Sequence, residues 1–237
     1  MDQTKIWDYF QSDDEMGDAF NKALPRYEFL AQQIASGMHV LNIGVGRGGL
    51  EDILVKKGVL VSCLDPSESA IDSLRRQYAL GERAQVGCSQ AIPFADSQFD
   101  VVVMSEVLEH LADDVLNSTL VEVRRVLKPD GRFIGTVPAN ENLLDNRVMC
   151  PHCGESYHRW GHVQSFSPMR MRELLSTNNF AVRRNETRAF PCWRRSGVKN
   201  LVKSLIRYVL GRAGSPIASP CIFFEAQRRG YVSSTTI

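Results

Sequence analysis

Along the chain, short apolar runs alternate with longer segments in which apolar residues recur every three or four positions. The apolar runs predict strands at 39–43, 59–64, 84–88, 99–105 and 131–138. Between and before them, the helical repeat predicts helices at 25–36, 49–57, 67–80 and 113–127. Further on, Ser167 to Asn179 reads as a helix, Phe180 to Arg188 as a strand and Cys221 to Gln227 as a last strand. Regular alternation of this kind predicts an α/β fold, a mostly parallel sheet covered by helices on both faces, with ligands at the carboxyl ends of the strands.

The first strand runs directly into glycines, in the segment Val40-Leu41-Asn42-Ile43-Gly44-Val45-Gly46-Arg47-Gly48-Gly49. Gly44 and Gly46 carry no Cβ, so a nucleotide can lie against the main chain at the mouth of the next helix. The second strand ends at Asp65, whose carboxylate is placed to accept the two hydroxyls of a ribose, or alternatively to help Asp65-Pro66-Ser67-Glu68 cap the following helix. Gly44, Gly46 and Gly49 also fit the dinucleotide spacing G-x-G-x-x-G, so the loop alone does not separate one nucleotide cofactor from another.

Three further segments make the pattern specific. They are Ile92-Pro93-Phe94, the strand and acid-rich turn Phe99-Asp100-Val101-Val102-Val103-Met104-Ser105-Glu106-Val107-Leu108-Glu109-His110-Leu111, and Leu127-Lys128-Pro129-Asp130-Gly131-Arg132-Phe133. Taken in order with the glycine loop, they resemble the class I S-adenosylmethionine-dependent methyltransferases of the small-molecule type 11 group, densely over residues 38–139 and loosely elsewhere. The resemblance implies a Rossmann-like fold with a seven-stranded, mostly parallel sheet whose final strand is inserted antiparallel. It places Gly44, Gly46 and Gly48 under the methionine part of S-adenosylmethionine, Asp65 with Pro66 at the ribose, Cys88 and Ser89 near the adenine, and Ser105 and Glu106 beside the transferable methyl. Members of the family usually carry an acid where Asn42 stands, and often another where Cys88 stands. Asn42 still offers a carbonyl oxygen to the cofactor's ammonium but no charge.

With 237 residues and a net charge of +1, the chain has the size of one α/β domain with insertions and no global attraction for nucleic acid. The N-terminus lacks the basic and apolar regions of a signal peptide, and no apolar run has membrane-spanning length, which predicts a cytoplasmic protein. Six scattered cysteines do not form a disulfide framework. The expected organisation is a single domain over 1–237. It carries an acidic, aromatic N-terminal helical cap (1–37), a Cys/His insertion (140–166) and a basic helical insertion (190–218). Similar enzymes fold such a cap over the cofactor; the alternative is a solvated helix whose aromatics pack on the core.

In the first insertion, Cys150-Pro151-His152-Cys153-Gly154 forms a tight turn, and His158 and His162 follow. The spacing C-x2-C-x4-H-x3-H predicts structural Zn2+ held by Cys150, Cys153, His158 and His162, against the alternatives of a partial site or free thiols. Because the insertion leaves the sheet at the cofactor edge, Tyr157, Arg159 and Trp160 are the expected contacts to a small-molecule acceptor.

Methyl transfer from a sulfonium is an in-line displacement, and a base is required only when the acceptor must lose a proton. Glu106, Glu109 and His110 form an E-x2-E-H cluster; in some O-methyltransferases of similar pattern a divalent ion such as Mg2+ binds there. His110 acting as a base and a purely structural cluster are the other readings. The segment 198–210 carries apolar residues at 198, 201, 202, 205, 206 and 209 with Lys and Arg on its other face. This suits peripheral contact with anionic lipid, packing on its own domain, or a homodimer interface. The favoured function is O-methylation of a sugar or specialised-metabolite acceptor. The rivals are an NAD-dependent oxidoreductase and a noncatalytic zinc-dependent nucleic-acid-binding protein.

Overall fold

A strand covered on both faces needs apolar side chains at successive positions, and Val101, Val102, Val103 and Met104 are all fully buried. In the computed structural model, which describes residues 17–191, 198–215, 218 and 220–229, they form the centre of the strand Phe99–Ser105. In chain order the strands are β1 (His39–Ile43), β2 (Leu60–Asp65), β3 (Ala84–Val86), β4 (Phe99–Ser105), β5 (Leu127–Pro138), β6 (Arg147–Met149), β7 (Ser156–His158), β8 (Phe180–Arg188) and β9 (Cys221–Arg228). The helices are α1 (Gly17–Gln32), α2 (Gly49–Lys56), α3 (Glu68–Tyr78), α4 (Asp113–Val126), α5 (Pro168–Thr177) and α6 (Val198–Arg212).

The main sheet has seven strands in the order β3-β2-β1-β4-β5-β9-β8. Neighbours pair in parallel from β3 to β5, and β9 runs antiparallel to both β5 and β8. The order reverses at β1, because the chain travels outward through β2 and β3 before returning to β1's other side at β4. That reversal opens a crevice beyond the carboxyl ends of β1 and β4, where open α/β sheets bind ligands.

Alternate strand residues feed the two cores. Leu41, Val102 and Met104 pack with Leu116, Leu120 and Val123 of α4 and Met171 and Leu175 of α5. Val40, Val101 and Val103 pack with Leu30 of α1, Leu50 and Leu54 of α2, and Ile71 and Leu74 of α3. Helices therefore cover both faces.

Boundaries depart from the sequence reading where local signals mislead. Pro25 reads as the first turn of a helix, yet it lies inside α1, which begins at Gly17 and ends at Gln32. β5 starts at Leu127 and not at 131, because Leu127 pairs with Phe99 across a register irregularity, with Asp130 left-handed at φ 63°. The insertion after β5 forms a separate hairpin, β6 with β7, and rejoins the sheet at an isolated bridge between Ala139 and Phe166. The N-terminal acidic and aromatic residues up to position 16, and Arg194 and Arg195, lie outside the described residues.

Candidate active site

The glycine loop takes the shape its composition demands. Gly44, Gly46 and Gly48 all have positive φ, at 82°, 53° and 78°. A Cβ on Gly44 would lie 2.5 Å from Val107 Cγ2, and one on Gly48 2.5 Å from Leu74 Cδ2. The loop is pinned from β2: Asp65 Oδ2 accepts from Val45 N at 2.9 Å, and Asp65 Oδ1 accepts from Ser67 N at 2.9 Å. Asp65 thus ties the loop to the start of α3, with Ser67 serving as the helix cap.

Beneath the loop, Asn42 Nδ2 donates to Glu51 Oε1 at 2.6 Å, and both side chains are buried. Asn42 Oδ1 and Glu51 Oε2 receive no hydrogen bond from the described residues. Burial pushes the Glu51 carboxyl up to about 7, although its bond from Asn42 acts in the opposite direction. The acid absent from position 42 is therefore present nine residues later, on the first turn of α2. Sequence reasoning missed Glu51; its signal was an acid set between Leu50 and Leu54 in the buried stripe of a short helix.

At the exit of β4, Ser105 Oγ pairs with Thr136 Oγ1 at 2.9 Å, and Glu106 turns into the left-handed region at φ 58°. That conformation costs a non-glycine residue about 1 kcal/mol and is held by a bond from Glu106 N to Thr136 O. Glu106 Oε2 lies 3.6 Å from Arg26 Nη1 of α1 and 3.9 Å from Cys221 Sγ. Tyr27, the next residue of α1, places its ring where a Cβ of Gly49 would stand, 2.9 Å away. α1 thus contacts both the end of the glycine loop and the β4 exit. The turn at 88–91 closes through Ala91 N to Cys88 O; Ser89 is buried against Thr119, while Cys88 and Pro66 are exposed.

The Cys/His insertion does not gather its four expected zinc ligands. In the β6–β7 hairpin, Arg147 pairs with His158 and Met149 with Ser156; Cys150 and Cys153 lie beyond, in the turn closed by Gly154 N to Cys150 O. Cys150 and His158 are thus three ladder steps apart, roughly 10 Å along the hairpin. Among the described residues, no group of three or more ligand atoms lying within 4.8 Å of one another includes Cys150 or Cys153. The cysteines sit at the tip, with Cys153 exposed, and backbone N–H groups of Cys153 and His152 lower the Cys150 thiol.

The histidines meet carboxylates instead. His162 Nδ1 lies 2.5 Å from Glu141 Oε2, and His158 Nε2 lies 3.5 Å from Glu141 Oε1. His110 meets the His162 ring edge-on at 4.6 Å between centroids. Ligand atoms of Glu109, His110 and His162 fall within 4.8 Å of one another, as do those of Glu141, His158 and His162. Glu109 is 1 % exposed, and neither of its carboxylate oxygens receives a hydrogen bond from the described residues. Burial, with the charge of Glu106 behind it, holds that carboxyl well above its ordinary range. Burial and the neighbouring imidazoles push His110 down to about 3, so it is a weak proton acceptor. Glu141 carried no signal in the sequence, since it stands alone in a polar loop. Among the expected acceptor contacts, Tyr157 and Trp160 are half-buried and Arg159 is exposed.

A cleft of about 180 Å³ between α1, the end of β8 and Tyr208 of α6 contains none of the residues expected to bind the cofactor.

Comparison with known proteins agrees with this geometry. A family described as "Methyltransferase domain" matches residues 41–135, from β1 into β5. Ubiquinone biosynthesis O-methyltransferase of Coxiella burnetii is 32% identical over 120 residues, covering 48% of this chain and 50% of that protein. The chain thus matches about half the length of that relative. Among solved structures, a chain from the complex between the Haloferax volcanii Trm112 methyltransferase activator and a methyltransferase superposes with TM-score 0.66 at 20% identity, covering 94% of this chain and 98% of that one. The Burkholderia thailandensis 1,6-didemethyltoxoflavin-N1-methyltransferase, solved with S-adenosylhomocysteine, superposes with TM-score 0.62 at 19% identity over 94% of this chain and 86% of that one. These structural likenesses establish a Rossmann-like methyltransferase fold, and within it residues 41–135 match the methyltransferase domain family.

Proposed function

We propose that the protein transfers the methyl group of S-adenosylmethionine to the oxygen of a small-molecule acceptor, a sugar or specialised metabolite. The observation that carries the reading is the meeting, at one sheet edge, of a left-handed glycine loop, the Asp65 carboxylate and the Glu106 turn. Gly44, Gly46 and Gly48 leave the main chain open to the methionine part, Asp65 receives the ribose, and the turn containing Cys88 and Ser89 lies beside the adenine. Asn42 Oδ1 and the Glu51 carboxylate beneath the loop take the place of the missing acid and receive the ammonium. α1, held by Arg26 on Glu106, covers the site and excludes water.

Oxygen as the nucleophile is supported by the cluster of Glu109, His110 and His162. A carboxylate buried without hydrogen bonds beside two imidazoles fits a divalent transition metal better than Mg2+, which favours oxygen ligands. Glu141 fixes the His162 ring through Nδ1 and leaves Nε2 to face the cluster. When bound, such an ion acidifies and orients a hydroxyl. The C. burnetii relative, named an O-methyltransferase, points the same way.

Calorimetry with S-adenosylmethionine, S-adenosylhomocysteine and NADH tests the reading. Saturable binding of the first two with NADH silent supports it; binding of NADH alone overturns it.

A further inference from the structure

Helix α6 (Val198–Arg212) is turned inside out for a helix packed on a protein. Its apolar residues Val202, Leu205, Ile206 and Val209 follow the i, i+3, i+4, i+7 repeat of one face, and they are 49%, 55%, 52% and 57% exposed. The face that meets the domain is small and polar. Ser204 is buried, Gly211 packs so closely on Ala189 that a Cβ there would lie 2.4 Å from the Ala189 Cβ, and Tyr208 borders the cleft beside Arg188. Contacts with the domain therefore use the opposite side of the helix and leave the apolar stripe uncovered among the described residues.

The charge of this stretch of sequence indicates what covers the stripe. Between Glu186 and Glu225 the chain has no acidic residue and carries Arg188, Arg194, Arg195, Lys199, Lys203, Arg207 and Arg212. Arg207 is exposed and donates from its Nε to Ala218 O; Arg212 is exposed and lies 3.5 Å from Glu186. A second copy of this chain would bring the same positive charge to the contact and oppose it. An anionic bilayer complements it, with headgroups for the basic residues and acyl chains for the stripe. Topology gives the location: Arg188 pairs with Cys221, which pairs with Pro138 at the carboxyl end of β5, so α6 is rooted at the sheet edge that carries the cofactor loop.

We infer that α6 is an interfacial helix that docks this protein on an anionic membrane surface through Val202, Leu205, Ile206 and Val209. The assignment is independent of the cofactor reading, and no helix among the described residues is long and apolar enough to cross a membrane, so the contact is peripheral.

Co-sedimentation of the full chain with phosphatidylglycerol–phosphatidylcholine vesicles, against phosphatidylcholine vesicles alone, tests it. The protein is expected to sediment with the anionic vesicles and to be released by salt. The double variant Leu205→Glu with Ile206→Glu, both at exposed positions, should lower vesicle affinity at least about tenfold while its melting temperature stays unchanged. Failure to sediment with either vesicle, or equal sedimentation of the folded variant, overturns the inference. A lipid-free dimer in sedimentation velocity that the double variant dissociates also overturns it, because the stripe would then belong to a second copy.

Discussion

Asn42 Nδ2 donates to Glu51 Oε1 at 2.6 Å, joining the end of β1 to the first turn of α2 directly beneath the glycine loop. The pair keeps an acid in the core with no positive partner among the described residues, and burial holds the Glu51 carboxyl at about 7. An acid raised in the folded state weakens stability as pH rises from the unfolded value of about 4.5 through about 7, and the loss is complete above that. Urea unfolding at about pH 5 and about pH 8 should differ by up to about 3 kcal/mol for this group. Glu51→Gln retains an acceptor for Asn42 and should remove that part of the pH dependence. An unchanged pH profile in the variant would show that Glu51 is not the source.

In the proposed reading Asp65 both pins the glycine loop and receives the ribose, and a substitution reports on both. Its oxygens hold the Val45 and Ser67 amides, so Asp65→Ala orphans two buried donors and should destabilise the domain by about 2–4 kcal/mol. The same variant should weaken S-adenosylmethionine by more than tenfold, about 1.4 kcal/mol, in calorimetry below its melting temperature. Full cofactor affinity in the folded variant would remove Asp65 from the ribose.

Gly44→Ala places a methyl 2.5 Å from Val107 Cγ2 at a backbone φ of 82°. Loss of about 1–3 kcal/mol in stability and of measurable cofactor binding is expected from the strain and from filling the cradle. Native affinity would mean that the ligand does not lie against this glycine.

Glu109, His110 and His162 make metal content a direct readout. After dialysis against zinc or manganese, elemental analysis should find about one ion per chain, and chelation should lower the melting temperature. Glu109→Gln should abolish retention; Cys150→Ser should leave it intact, because the thiols stand at the hairpin tip. Loss of metal in Cys150→Ser with retention in Glu109→Gln would favour ligands from the cysteine knuckle.

The local pattern was sufficient for β1, β4 and β8, whose ends match the sequence reading. Continuous apolar runs need only a sheet buried on both faces, and glycines at 44, 46 and 48 need only a turn with positive φ; both demands are written in neighbouring residues. The zinc expectation shows where such reasoning stops. C-x2-C-x4-H-x3-H gives proximity along the chain, but hairpin pairing of Arg147 with His158 extends the backbone between the thiols and the imidazoles. Partners for the histidines come from distant positions, Glu141 from a polar loop and Glu109 from the β4 exit, and no spacing rule reaches that far. The apolar stripe of α6 was equally plain as a pattern, yet a helical repeat is the same whether the face is covered or bare. Which face meets the protein is decided by packing: Gly211 on Ala189 and buried Ser204 turn the stripe outward. The sequence by itself determined the order of the elements and the left-handed glycine loop, because these depend on local periodicity and backbone freedom. Tertiary structure alone decided which side chains share a pocket and which surface remains open, because both follow from contacts between residues far apart in the chain.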